Sequence, residues 1–132
     1  VIGGSYLVRT GQGVERRVAA TARLTTTGAL DATYSGDGIA TIDHGSNDAH
    51  YVNAMALDPL TGVITVAGFM DIGWGWMNLA DKDIGLARFH SDGSADTGLA
   101  GTGWLRWSLG NEADRALDVL VQPDGKTVVA IE

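Results

Sequence analysis

Cysteine is absent from the 132-residue chain. That excludes a disulfide, a thiolate metal site and a cysteine nucleophile. Proline occurs twice, at Pro59 and Pro123, against 19 glycines. The chain therefore turns often, and through glycine, without being a stiff proline-rich linker. Charged residues make up 19% of the sequence, below the share of about a quarter usual in soluble domains. No apolar run approaches the roughly 18 residues of a membrane-spanning helix, so membrane insertion is not expected. Basic residues are scarce, 9 against 16 acids, for a formal charge of −7. Such a field repels phosphate and argues against nucleic acid and anionic membranes as partners. The motifs of chemistry are missing too. There is no phosphate loop, no serine nucleophile motif and no zinc-like ligand spacing. No catalytic residue, metal or cofactor is assigned, and an enzyme is not expected.

The scarce bases are unevenly placed. Arg9, Arg16, Arg17 and Arg23 face only Glu15 within the first 23 residues, whereas the remainder carries five bases and fifteen acids. A basic end and an acidic body are able to attract one another head to tail. The chain begins at Val1, without an initiator methionine or visible signal peptide, in what reads as the middle of a strand. The expectation is a processed chain or a fragment.

What is present is an internal repeat. Gly28, Asp31, Gly36 and Gly38 of GALDATYSGDGIATI recur 65 residues later as Gly93, Asp96, Gly101 and Gly103 of GSADTGLAGTGWLRW. VIGG at 1–4 matches VAGF at 66–69, and Ala22-Arg23-Leu24 matches Ala87-Arg88-Phe89, at the same offset. The offset slips to 64 where Met55 aligns with Val119 and Leu57 with Val121, and to 63 at Gly62 and Gly125. One-residue slips of this kind are what loops tolerate.

Each unit reads as four short strands, near 19–24, 38–43, 52–58 and 63–69, then near 84–89, 103–109, 116–122 and 127–131. Met55 and Leu57 share a face by the period of two. Asp58-Pro-Leu-Thr-Gly62 and Gln122-Pro-Asp-Gly125 place proline early and glycine late, as tight turns prefer. A helix over 111–121 is the weaker reading, because that stretch matches strand 47–57 and runs into a hairpin. The expected class is all-β. The expected architecture is propeller-like, about two four-stranded blades plus one extra N-terminal strand. The units are 1–17 (the last strand and loop of an incomplete repeat), 18–82 (unit 1 with its trailing loop) and 83–132 (unit 2). A β-solenoid is the rival.

The stretches GLARFHSDGSADTGLAGTG (85–103) and ALDVLVQPDGKTVVA (116–130) resemble the bacterial delta-60 repeat. The first unit departs from that pattern, with TTTG for the usual x-x-D-G and DPLTG for PDG. The resemblance implies propeller-like blades in large secreted or surface proteins, hence an extracellular or cell-surface location, and it implies no common catalytic residues. Closure of a propeller takes about four to eight blades, so two units need neighbours. Those neighbours are other copies of the chain, or further repeats of a larger one. Strand addition between the ends of copies is one route.

Three clusters invite chemistry. The aspartate–glycine loops resemble calcium loops in composition but carry neither an EF-hand pattern nor GGxGxD. The better reading is structural: the glycines take positive φ, and Asp31 and Asp96 cap the turns. Asp43, His44, Asp48 and His50 are plausible zinc or nickel ligands by type, without zinc-like spacing, and surface-loop polarity accounts for them better. Trp74 and Trp76, with Met77, read as apolar anchors for packing or a protein partner, with a glycan as a further possible ligand. Together with Arg9, Arg16 and Arg17 they form the expected interaction set.

Overall fold

The computed structural model describes residues 1–9, 15–44, 48–71, 82–110 and 113–132. Among them nine strands form three open antiparallel sheets, and no helix occurs. Sheet 1 joins β1 (Ile2–Arg9), β2 (Glu15–Ala22) and β3 (Ile39–Ile42) in chain order. Sheet 2 joins β4 (Ala49–Leu57), β5 (Ile64–Asp71), β6 (Lys82–Phe89) and β7 (Trp104–Trp107). Sheet 3 is the hairpin of β8 (Ala116–Val121) and β9 (Thr127–Ile131). The protein is all-β, as its sequence reads.

The strands group differently from two four-stranded units plus one. One sheet has four strands, the first has three and the last has two. β5 and β6 pair from Ile64↔Phe89 to Asp71↔Lys82, straight across the expected division after residue 82. The physical reason is phase. A repeat fixes its period but can be cut anywhere, and antiparallel neighbours pair through whichever loop joins them. The chain instead changes sheet after the two short strands, β3 and β7.

Sheet 2 lies between the other two. β5 and β6 are buried along almost their whole lengths, the mark of strands covered on both faces. By alternation, Ile64 and Val66 face one side and Ala67 the other. The first core sets Ala19, Ala40 and Ile42 of sheet 1, with Tyr34, against Ile64, Val66, Ala87 and Phe89 of sheet 2. The second sets Ala67, Ile84 and Leu86 against Ala116 and Val119 of sheet 3.

Register repeats with the strands. β4 carries a bulge between Val52 and Ala54, and β8 one between Ala116 and Asp118. The bulged Asn53 donates from Nδ2 to the Ala116 carbonyl at 2.9 Å, tying sheet 2 to sheet 3. At the first strand the register corrects the sequence alignment. Ile2 pairs with Ala22 as Val66 pairs with Ala87, so Ile2, and not Val1, is the counterpart of Val66. The offset there is 64 rather than 65, and one residue of slip moves every side chain to the opposite face. Matching VIGG to VAGF by letters missed this because glycines carry no facing information.

Candidate interaction site

The two glycine–aspartate segments are corners, each joining neighbouring strands within a sheet. Their backbone bonds coincide at an offset of 65. Arg23 N–H donates to Gly38 O at 3.0 Å and Arg88 N–H to Gly103 O at 2.8 Å. Asp31 N–H returns to Arg23 O and Asp96 N–H to Arg88 O, both at 2.9 Å. Gly28 and Gly93, Gly36 and Gly101, and Gly38 and Gly103 all have φ between 76° and 92°, where a Cβ collides with the backbone. Ser35 and Ala100 share that left-handed region at 55° and 52° despite their side chains.

The aspartates hold these corners from inside. Arg23 Nε donates to Asp31 Oδ2 and Arg88 Nε to Asp96 Oδ2, each at 2.8 Å. The other oxygen takes the backbone N–H two residues on, from Thr33 and from Gly98, each at 3.0 Å. Thr33 hydroxyl and amide lower the Asp31 pKa. At Asp96 burial works against the charge, yet Arg88 and the Gly98 amide outweigh it and the pKa is lowered. The exchange of Asp37 for Thr102 also has an account. Asp37 Oδ1 accepts from Ile39 N–H at 2.8 Å, and Thr102 Oγ1 accepts from Trp104 N–H at 3.4 Å. Either side chain closes the same turn.

The corners also meet each other. Ser35 N–H donates to Asp92 O, and Arg23 Nη1 donates to Ser91 O, both at 2.8 Å. Thus the first corner is bolted to the second by groups that do not depend on side-chain identity at the acceptor. Beneath it, the Thr21 and Tyr34 hydroxyls share a buried bond of 2.5 Å. Their counterparts 65 residues on, Leu86 and Leu99, are both apolar. A polar pair is replaced as a pair, which leaves no orphaned group.

The expected basic cluster is largely engaged by its own chain. Arg9 Nη2 lies 2.6 Å from Glu15 at the exposed end of sheet 1. Arg16 pairs with Asp43, and the Arg17 guanidinium sits 5.3 Å from the centre of the Tyr51 ring. Trp74, Trp76 and Met77 lie outside the described residues. The other two tryptophans point to opposite faces of β7, as their spacing requires. Trp104 packs on the first core. Trp107 is 55% exposed, in an apolar groove with Ile84, Leu86 and Leu105 beside β9. In the sequence its one signal is the spacing of three from Trp104, which on a strand means opposite faces.

The histidines correct a second expectation. His50 belongs to β4, not to a polar surface loop, and is fully buried. Its Nε2 lies where a side chain on Gly85 would have to be, 2.4 Å from the ideal Cβ position. Burial first, then the nearby His44, pushes its pKa down from 6.5 to about 4, against a weaker opposing effect of the Gly85 backbone. Among the described residues no group of three or more histidines, aspartates or glutamates is placed to hold a metal ion. No protein-family model matches the chain, and no curated protein matches it.

Proposed function

We propose that the chain is a non-enzymatic structural and interaction module, propeller-like in its stacking, that works through protein–protein association outside the cell or at its surface. The observation that carries this reading is the bolting of one corner to the next, Ser35 to Asp92 and Arg23 to Ser91. Those bonds join sheet to sheet and use main-chain acceptors, so they suit any further layer of the same kind. Self-association by strand complementation between copies is one form of this function, and further repeats of a larger chain are the other. The exposed apolar residues of the end sheets, Ile2 and Tyr6 on sheet 1 and Leu120 and Val128 on sheet 3, support it, because each unit of a stacked array buries a face on its neighbour.

Sedimentation velocity across a concentration series tests self-association. A growing sedimentation coefficient is expected, and a single monomer species at every concentration would remove self-assembly. The second reading, a carbohydrate-binding or enzyme-associated segment of a larger secreted protein, rests on the exposed Trp107, whose ring is able to stack on a sugar. Glycan binding that disappears in Trp107→Ala would favour it.

A further inference from the structure

His50 is fully buried on β4, yet among the described residues neither ring nitrogen has a hydrogen-bond partner. Only the Gly85 backbone makes a weak contact with it. An imidazole buried in this way costs free energy, and a chain that needed only to fill the space has leucine for it. Two further donors converge on the same place. His44 lies beside His50 with ring centroids 6.2 Å apart and planes at 58°. Two imidazoles bound to opposite sides of one ion, each nitrogen at about 2 Å, have ring centres about 6 Å apart. Met70 is buried and pairs directly with His50 across β4 and β5. Its Cγ, to which the sulfur is bonded, and His50 Nε2 both crowd the point where a Cβ on Gly85 would stand.

Access and charge agree with a bound cation. A cleft of about 520 Å³, lined by Asp43, His44, Thr102 and Trp104 among others, opens from solvent onto His44. The Trp104 ring centre is 5.1 Å from that of His44, at the back of this path. Arg16 pairs with Asp43, and Arg106 reaches Asp48 and Asp83. Three carboxylates against two guanidiniums leave an excess of one negative charge around two neutral imidazoles. A monovalent cation cancels that excess, whereas a divalent one leaves a net positive charge in a largely buried setting.

We propose that His44, His50 and Met70 form a binding site for monovalent copper, with the two imidazoles as principal ligands and the thioether as the third. Thioether and imidazole donors together suit Cu(I). A zinc site takes four ligands, and no third histidine, aspartate or glutamate is placed to join the two imidazoles among the described residues. The Gly85 backbone lies on the Nε2 side of His50 and orients the ring from outside, as ligating imidazoles usually require. His50 Nδ1 is then the atom that binds. All three donors lie where sheet 1 meets sheet 2, so the site is complete within one chain and does not rest on the association reading.

The probe is Cu(I) itself, kept reduced with ascorbate under argon and titrated into the full chain at neutral pH against a chromophoric Cu(I) chelator. Uptake of one ion per chain is expected. In imidazole NMR spectra the rings of His44 and His50 should shift, while the exposed His90, the remaining histidine, serves as the internal control and should not. Zn(II) at the same concentration should leave all three in place. Met70→Leu keeps an apolar side chain of similar size and should weaken Cu(I) binding by about tenfold, and His50→Leu should abolish it. The inference is overturned if the chain takes up no Cu(I), if only the His90 ring shifts, or if a folded His50→Leu chain binds as the wild type does. Equal shifts with Zn(II) would overturn the choice of metal, and unchanged binding by Met70→Leu would overturn the role of the thioether. The spectral arm uses the wild-type chain and does not depend on any variant folding.

Discussion

Ser35 and Ala100 sit at φ of 55° and 52°, where an L side chain costs about 1–2 kcal/mol. Ala100→Gly relieves that strain but gives the unfolded chain about 0.4–1 kcal/mol of extra freedom. The net expectation is a variant as stable as the wild type or more stable by about 1 kcal/mol. The glycines predict the opposite sign, in a definite order. An alanine at Gly36 meets no atom within 4 Å and pays only for its φ of 89°. An alanine at Gly38 has a φ of 91° and also meets Leu30 Cβ at 2.8 Å and Asp31 N at 3.1 Å. Urea denaturation should rank Ala100→Gly first, then wild type, Gly36→Ala and Gly38→Ala. The first glycine variant should cost about 1 kcal/mol, from backbone strain alone, and the second distinctly more. A Gly38→Ala chain as stable as Gly36→Ala would refute the packing account.

At the scale of the element, each corner depends on an arginine–aspartate couple, and the two couples differ in exposure. The Asp96 side chain is 11% exposed and the Asp31 side chain 25%. Removing a buried carboxylate strands the Arg88 donors and the Gly98 amide, so Asp96→Ala should cost about 1–3 kcal/mol. Asp31→Ala should cost less, because water can replace the lost acceptor at the more exposed site. Chemical denaturation of both variants checks the order, and an equal loss would mean that exposure does not set the cost. These corners were legible in the sequence because positive φ selects glycine and turn capping selects aspartate, two signals that single residues carry. The grouping of strands was not legible, because pairing between β5 and β6 is settled by three-dimensional neighbours and not by repeat phase. The burial of His50 was hidden for a related reason. The run from Asp43 to Asp48 just before it is polar, but the space it fills is made by Gly85, 35 residues away. The groove at Trp107 was hidden too, since its walls come from β6, β7 and β9, which lie far apart in sequence.

For the molecule as a whole, sheet 2 is the layer on which both cores depend, and His50 lies in its first strand. The imidazole is fully buried and, among the described residues, neither ring nitrogen has a hydrogen-bond partner. It therefore stays neutral in the fold, and its pKa falls from 6.5 to about 4, chiefly through burial. His44 beside it, with ring centroids 6.2 Å apart, is lowered in the same direction and again chiefly by burial. The unfolded chain binds the proton more readily than the folded one between these values. Stability from the neutral imidazole is thus complete above pH 6.5 and declines as pH falls toward about 4. The full decline attributable to His50 is about 3 kcal/mol. Lowered carboxylates such as Asp96 act in a lower window, because their stabilisation is lost below the usual 3.8. His50→Leu gives up only the weak contact with the Gly85 backbone and fits an apolar site, so it should fold at neutral pH with a flatter stability profile between pH 6.5 and 4. The residual slope belongs to His44. Urea denaturation at half-unit pH intervals measures both profiles. If His50→Leu kept the wild-type slope across that window, acid sensitivity would have to come from elsewhere in the molecule.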